Sequence, residues 1–450
     1  MTSKLELNAL RPRSRIGNAF DEFVKNQSSS GIILLICAMA AMLWANSPYS
    51  HYYQYLLHID IGAHFHHFVL ERSLQHWAND LLMVIFFLLV GLEIKREVLT
   101  GELSSVKTAT LPVAAAIGGM LIPAGIFAMV NWHHPQYIHG WAIPMATDIA
   151  FALGLLSLLS NRIPRGVLIL LTALAIVDDI GAIVVIAVFY TKTLHMYFIY
   201  GAAGVFALMI VLNRLRVFKP GPYLILGVIL WLLLLNSGLH ATIAGILIAM
   251  VIPARSVYKR EVLSHKMSNL VSKFDATQQE GHYAEETRKF ALQEMEHVVH
   301  GVEAPLQRLE HRLHLPVNFI IIPIFVFLNA GVTVSGISFS DIFTSPLALG
   351  IILGLVVGKL IGIFGTCFIT SKIDAKTLPR DVNYRNLTSL SLIAGIGFTM
   401  SIFIAELAFP HNAQLLNLAK LGILMGSLIS AVLGVLMTLL TSKKQPSTIR

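Results

Sequence analysis

Long apolar runs alternate with short polar stretches along most of this chain. A helix needs about 20 predominantly apolar residues to cross the hydrocarbon core of a bilayer. On that criterion the pattern predicts twelve transmembrane helices between residues 31 and 441. The predicted spans lie near residues 31–48, 80–99, 108–130, 142–160, 166–190, 196–213, 222–236, 239–254, 316–334, 345–370, 387–408 and 414–441. We therefore expect an all-α polytopic membrane protein with one transmembrane domain.

The composition agrees with this class. Of the 450 residues, 55% are hydrophobic and only 13% are charged, against about 25% charged residues in an average soluble domain. The formal net charge of +8 is dispersed between the apolar runs, and no RNA- or DNA-binding motif accompanies it. Nucleic-acid binding is therefore not expected.

The positions of Lys and Arg predict how the spans are oriented. Positive residues are retained in the short loops on the cytoplasmic side of a membrane. With twelve spans, nearly all of the 33 basic residues fall on one side, and the opposite loops hold only Arg72 and Lys192. Lys420 begins the last span, and Lys359 lies inside the tenth. Both termini are therefore predicted to be cytoplasmic, as tails 1–30 and 442–450.

Two segments are expected outside the membrane. The external stretch 50–75 alternates apolar and polar residues around Gly62, which is compatible with a small hairpin or with an irregular loop. The segment 255–315 is polar, with apolar residues at helical spacing, and it is predicted to form cytoplasmic surface helices. A connecting role is favoured for it over a regulatory one.

The fifth span contains two adjacent carboxylates, Asp178 and Asp179, near its centre. An ionised Asp at the middle of a bilayer helix costs about 2.5 to 3.5 kcal/mol on insertion scales, so it needs a partner, a proton or a bound cation. At about 100° per residue, the two side chains leave the helix in different directions. One can therefore face an ion while the other faces a neighbouring helix.

Two other spans are expected to be interrupted. The fourth contains Pro144 followed by Thr147 and Asp148, a pair that can cap a half-helix and offer oxygen to a cation, or simply begin a helix at the interface. The eleventh contains Gly395, Gly397 and Thr399, where the glycines weaken a helix or allow close packing. Interrupted spans in corresponding positions of two halves are typical of a transport site at the midplane.

Lys359 is the natural charge partner for one of these carboxylates, because it is the cation that the pattern puts deepest in the membrane. The pair could serve ion transport, or it could only fix the packing of two helices. These two readings are compatible with each other.

Several long motifs in the right order resemble the NhaA-type sodium/proton antiporters, from about residue 30 to residue 441. The motifs are Trp77-Ala78-Asn79-Asp80 with the following stretch 86–93, Met145-Ala146-Thr147-Asp148-Ile149-Ala150-Phe151-Ala152-Leu153-Gly154, Val177-Asp178-Asp179-Ile180-Gly181-Ala182-Ile183, Ser237-Gly238-Leu239-His240-Ala241-Thr242 and the stretch 395–401. The resemblance implies twelve helices in inverted-topology repeats, with interrupted spans four and eleven crossing each other. It also implies a homodimer, formed through the external hairpin, in a bacterial inner membrane.

By position, the resemblance assigns Asp178 and Asp179 as ion-binding carboxylates, Asp148 with Thr147 as part of the site, and Lys359 as the partner of Asp178. It also implies a cytoplasmic pH-sensing cluster and a pH-linked histidine. These candidates are Glu93, Arg96, Glu97, Glu310, His311, His314 and His240. No organic or metal cofactor is expected.

These observations predict exchange of cytoplasmic Na+ or Li+ for external H+ by alternating access, because protons and Na+ would compete for Asp178 and Asp179. Carboxylate and carbonyl oxygens suit small hard cations. The resemblance implies that exchange is electrogenic and regulated by pH. Two alternatives are an intramembrane aspartyl protease and a Na+-coupled solute symporter. The protease is disfavoured because Ile176 and Val177 precede Asp178, where such proteases typically show Gly-x-Gly.

Overall fold

The computed structural model describes residues 27–65, 68–159, 162–191, 194–255, 303–333, 339–374, 377–379 and 381–441, with short pieces between 266 and 295. Within this part of the chain, α-helices dominate and two strands form one hairpin. Helices suit apolar segments because every backbone polar group is paired within the segment, which a lipid environment requires.

The helices and strands follow in chain order, with short 3₁₀ turns at Ile138–Gly140 and Ile143–Met145. They are α1 (Gln27–Ala45), α2 (Ser50–Leu57), β1 (Asp60–Phe65), β2 (Phe68–Ser73), α3 (Leu74–Thr100), α4 (Val106–Val130), α5 (Ile149–Leu158), α6 (Arg165–Phe189), α7 (Met196–Arg214), α8 (Pro220–Leu235), α9 (Ile243–Val251), α10 (Pro305–Asn329), α11 (Phe339–Thr344), α12 (Pro346–Ile373), α13 (Tyr384–Ile393), α14 (Phe398–Ala408) and α15 (Ala413–Thr441).

Eight of the described helical segments are long and apolar enough to cross a membrane, and two bent pairs bring the number to as many as ten. The pairs are α1 with α2, bent by 114°, and α13 with α14, bent by 45°. Each of the twelve predicted spans contains a described helix, but α8 and α9 are shorter than a full crossing. A polytopic, mostly helical membrane protein is confirmed, and the count of twelve stays a prediction.

The chain divides into two compact units. The first comprises the described residues within Met1–Met83, Glu102–Tyr190 and Val317–Arg450, and the second those within Val84–Gly101 and Thr191–Pro316. In the first unit, α1, α2 and the ends of α3 and α10 share an apolar cluster that includes Tyr53, whose hydroxyl donates to Phe327 O at 2.7 Å. All three predicted membrane carboxylates lie in this first unit.

The external stretch 50–75 contains the predicted hairpin, preceded by helix α2, which the pattern did not suggest. Strands β1 and β2 are antiparallel, and Gly62 pairs with Glu71 inside the ladder. The hairpin is therefore centred between Phe65 and Phe68 and not at Gly62. Helix α3 begins directly after β2, six residues before the predicted second span.

Much of the segment 255–315 and the tails 1–26 and 442–450 lie outside the described residues. At the end of that segment the chain is helical from Pro305 onward, and α10 passes Pro316 with a π-helical turn at Val317–Ile321. The predicted ninth span therefore has a helical start eleven residues earlier than its apolar run, because the polar first turns carry little hydropathy.

The predicted interruptions in spans four and eleven are present. Ahead of α5, Ala146 and Asp148 have extended backbone angles, with ψ of 144° and 97°. Between α13 and α14, residues 394–397 leave the helix. Both interruptions free backbone donors and acceptors that must find partners.

Candidate ion-binding site

The two interruptions pair with each other. Asp148 N donates to Ile396 O at 2.7 Å, and Thr147 Oγ1 donates to Ala394 O at 2.9 Å. Groups freed at one break therefore satisfy groups freed at the other, which is how irregular backbone is tolerated at membrane depth. The two segments meet at their non-helical residues.

Gly397 makes this close approach possible, and Gly395 allows close packing on α12. A Cβ at Gly395 would collide with Leu355 O, and a Cβ at Gly397 would lie 2.9 Å from Ala146 O. Both obstacles are backbone atoms, which cannot move away as a flexible side chain can. The two glycines therefore lie in the interruption and also allow it to pack closely.

The Asp148 carboxylate stabilises the start of two helices. Its Oδ1 accepts from Phe151 N at 2.9 Å and caps α5. Its Oδ2 accepts from Thr399 N at 3.0 Å and from Thr399 Oγ1 at 2.6 Å, at the start of α14. The N-terminus of a helix carries a partial positive charge, so one buried carboxylate neutralises two such ends. Asp148 is 1% exposed.

Lys359 joins the interruption in span four to helix α6. Its Nζ donates to Asp178 Oδ2 at 2.7 Å and to Thr147 Oγ1 at 2.9 Å. Lys359 is fully buried and follows a π-helical turn, Gly354–Gly358, a local irregularity common at functional sites. The predicted pairing of Lys359 with Asp178 is present in the structure.

Asp178 and Asp179 lie in the middle of α6, and each is 1% exposed. The start of this helix is held by another loop, because Gly166 N donates to Asp381 Oδ2 at 2.8 Å. Asp178 Oδ1 is buried and receives no hydrogen bond of standard geometry from the described residues. Asp179 also interacts electrostatically with Lys359.

This arrangement can bind a small cation without being a closed metal centre. Among the described residues, no three His, Cys, Asp or Glu side chains are grouped to hold a metal ion. Two carboxylates together with hydroxyl and carbonyl oxygens of the interruptions form a hard oxygen environment.

The candidate pH-sensing residues largely converge in the second unit. Arg96 Nε lies 2.9 Å from Glu310 Oε1, and an Arg96 terminal nitrogen lies 3.3 Å from Glu97 Oε2. Glu93 interacts electrostatically with all three residues. A cavity of about 430 Å³ is lined by Arg96, Glu303, Gln307, Arg308, Glu310, His311, Arg312 and His314.

His240 does not belong to the described lining of that cavity. It lies between α8 and α9, with Nδ1 2.9 Å from Thr242 Oγ1. Gly238, two residues before His240, has a φ of 87°, a conformation that a non-glycine residue rarely adopts. A defined turn therefore separates α8 from α9. His240 lies in this turn and is not one of the described residues that line the cavity beside Arg96.

The structure also reveals a buried ion pair that sequence reasoning missed. Lys420 Nζ lies 2.6 Å from Glu406 Oε1, with side-chain exposures of 5% and 12%. The hydropathy pattern puts Lys420 at the beginning of the last span, where a lysine can reach the interface. The sequence offers one indication of this pair, because Glu406 is an acidic residue within the eleventh apolar run and had no assigned partner.

These features define a multi-pass membrane protein with paired interruptions and a buried set of three carboxylates and a lysine. Residues 21–438 match the family model "Na+/H+ antiporter 1", and the chain belongs to this family.

Relatives in the same family cover nearly the whole chain. The chain is 43% identical over 425 residues to Na+/H+ antiporter NhaA 1 of Saccharophagus degradans, covering 94% of this chain and 91% of the relative. It is 45% identical over 422 residues to Na+/H+ antiporter NhaA 2 of Clostridium beijerinckii, covering 94% of each chain. It is 41% identical over 425 residues to Na+/H+ antiporter NhaA of Sulfurimonas denitrificans, covering 94% of this chain and 96% of the relative.

The resemblance inferred from the motifs is thereby confirmed. These relatives are named as antiporters, which are transporters and not enzymes. Neither the intramembrane protease nor the Na+-coupled symporter is favoured by these matches.

Proposed function

We propose that this protein exchanges cytoplasmic Na+ for external H+ by alternating access, with Asp178 and Asp179 as the groups for which the two ions compete. The observation that carries this proposal is the burial of both carboxylates beside Lys359, where Asp178 Oδ1 receives no hydrogen bond of standard geometry from the part of the chain that the structure describes. A carboxylate in such a place holds a proton or a cation, and the two exclude each other.

The residues around the pair have separate roles in this proposal. Asp178 and Asp179 bind the ion or the proton. Lys359 compensates Asp178 while no cation is bound, and an arriving Na+ competes with its ammonium group for the carboxylate. Asp148, Thr147 and Thr399 hold the interruptions in place, so that carbonyl oxygens can contribute to the cation's coordination.

Exchange follows from this competition when the site opens to one side at a time. Na+ entering from the cytoplasm would release protons held within the set of Asp178, Asp179 and Lys359. Protons arriving from outside would then displace Na+. Three titratable groups can release more than one proton per Na+, which supports the electrogenic exchange that the family resemblance implies. Li+ is included as a substrate because it is a small hard cation of the same charge.

The finer architecture belongs to the same proposal. We infer twelve spans with inverted-topology repeats, in which spans four and eleven cross at their interruptions. The contacts of Asp148 with Ile396 and of Thr399 with Asp148 support the crossing. The distribution of Lys and Arg supports cytoplasmic termini, and the family resemblance implies a bacterial inner membrane. The hairpin β1–β2 is the proposed contact in a homodimer.

Regulation by pH is assigned to the Arg96 cluster. Glu310, His311 and His314 line one cavity together with Arg96, so the charge of each group affects the others. His240 is retained as a second pH-linked group on the basis of the family resemblance. A role for this protein in pH homeostasis and salt tolerance would follow from such regulated exchange.

The proposal is tested by fluorescence dequenching in inverted membrane vesicles, with Na+, Li+ and K+ added separately across a range of pH. Na+ and Li+ should each collapse part of an imposed proton gradient. Asp60→Asn, at an exposed position, is the control and should behave as the wild type. Asp178→Asn should abolish the response. An unchanged gradient after Na+ addition to wild-type vesicles would refute the proposed function.

A further inference from the structure

A second buried charged cluster lies at the C-terminal end of α14, whereas Asp148 contacts the N-terminal end of this helix. It is centred on the 2.6 Å ion pair between Lys420 of α15 and Glu406 of α14. Glu406 is in the last turn of its helix, where the helix dipole is negative and a carboxylate is unfavourable. The Lys420 ammonium group compensates both the carboxylate and the helix end.

Amide side chains tie this pair to two further helices of the same unit. Gln75 Nε2, at the start of α3, donates to Glu406 Oε1 at 3.1 Å and to Asn329 Oδ1 at 3.2 Å. Asn329, at the end of α10 and 1% exposed, donates from Nδ2 to Asn79 Oδ1 at 2.9 Å. Four helices therefore meet at this end of α14.

Helix α14 connects this cluster to the ion-binding site mechanically. It has 11 residues, so it is a rod of about 16 Å. Its first turn supplies Thr399 N and Oγ1 to Asp148, and its last turn supplies Glu406 to Lys420. A displacement of the Glu406 end therefore changes the orientation of Thr399 N and Oγ1, which donate to Asp148.

We propose that Glu406 and Lys420 are positioning residues for the exchange reaction, because their ion pair holds one end of α14 so that the other end meets Asp148. Neither side chain contacts the proposed ion ligands in the described structure. A buried ion pair contributes little net stability compared with a well-packed apolar pair, so a positional role accounts for its presence better than stability does. This inference rests on the proposed Na+/H+ exchange.

The proposal predicts energetic coupling between residues that do not touch. Glu406 and Thr399 are seven residues apart on one helix, a separation of about 10 Å, and changes at such distances are normally additive. We therefore propose a double-mutant cycle with Glu406→Gln, Thr399→Val and the double variant. Exchange at saturating Na+ is measured in proteoliposomes that contain equal amounts of folded protein.

If α14 transmits the effect, each single variant slows exchange about tenfold and the double variant is within about threefold of the slower single one. Independent effects would instead give about a hundredfold loss, and that result would overturn the proposal. Unchanged exchange in Glu406→Gln would overturn it as well. Wild-type proteoliposomes without Na+-dependent exchange would refute the underlying function and are therefore a distinct failure.

A matched control is available in the Arg72–Asp80 ion pair, at 3.2 Å in the same unit. This pair does not include α14, so Arg72→Gln combined with Thr399→Val should be additive. If Glu406→Gln does not fold, Lys420→Gln breaks the same pair from α15 and replaces it in the cycle. If neither variant folds, the pair serves the stability of the fold and the positional role is rejected.

Discussion

Lys359 Nζ lies 2.7 Å from Asp178 Oδ2, and the two side chains are 0% and 1% exposed. Removing either charge alone breaks this ion pair and leaves the other group buried without it. Removing one partner of a buried pair typically costs about 3 to 5 kcal/mol, whereas replacing both can be nearly neutral. This asymmetry separates the contribution of the pair to stability from its contribution to transport.

Lys359→Met is expected to lower the free energy of unfolding by about 3 to 5 kcal/mol, because Asp178 loses its charge partner. The double variant Asp178→Asn with Lys359→Met should regain most of this stability without regaining exchange. Thermal unfolding in detergent and exchange in proteoliposomes would measure the two effects. Lys372→Met, at an exposed position of the same helix, is the control and should be near neutral. Wild-type stability in the single variant would contradict the assignment.

Thr399→Val should weaken the contact between the two interruptions. The variant keeps the shape of the side chain and the backbone donor, but it removes the hydroxyl that donates to Asp148 Oδ2 at 2.6 Å. Loss of a donor to a buried acceptor costs about 1 to 3 kcal/mol. Thr399→Ser retains the hydroxyl and should be close to the wild type in unfolding and in exchange. Equal behaviour of the Ser and Val variants would argue against this hydrogen bond.

Gly397→Ala should impair both folding and exchange, because its Cβ would lie 2.9 Å from Ala146 O and 2.8 Å from Leu355 Cδ2. Overpacking of this kind costs about 1 to 3 kcal/mol. The control is Gly365→Ala, where a Cβ meets nothing within 4 Å and a helical alanine is favoured. The melting temperatures of the two variants should therefore shift in opposite directions. Unchanged stability and exchange in Gly397→Ala would show that the two interruptions do not need to pack this closely.

The Arg96 cluster should control the pH range of activity. Arg96→Gln removes the cation that Glu310 and Glu97 share, so the net charge of the cluster becomes more negative. Its activity profile should move to higher pH by about one unit, the scale of a lost charge partner, and Glu310→Gln should move it to lower pH. Apparent KM for Na+ at the optimum should change little, since the ion ligands are elsewhere. Shifts of the same sign in both variants would refute this account.

The interrupted spans show how far sequence reasoning reached. Pro144 with Thr147 and Asp148, and Gly395 with Gly397, indicated two interruptions, and both are present. The reciprocal bonding of those interruptions was not predictable, because nothing in the local pattern tells which distant carbonyl a freed donor will meet. For the same reason Asp148 was predicted as an ion ligand, while its present contacts are with the N-termini of two helices.

Elsewhere the limits have other physical causes. Hydropathy places the middle of a span well but not its ends, so α3 and α10 begin earlier than their apolar runs. The alternation in 50–75 favoured a hairpin and a loop equally, because a short strand pattern in a polar segment is weak. Lys420 was interpreted as interfacial because its partner Glu406 belongs to another helix, and tertiary pairing of this kind leaves no periodic signal.

The central claim is that Na+ and protons compete for Asp178 and Asp179, and Na+-induced proton release from the purified protein tests it most directly. A lightly buffered sample with a pH-sensitive dye reports protons released when Na+ is added. The account predicts clear release from the wild type and from Asp60→Asn, and little or none from Asp179→Asn. Wild-type proton release from Asp179→Asn would contradict the account.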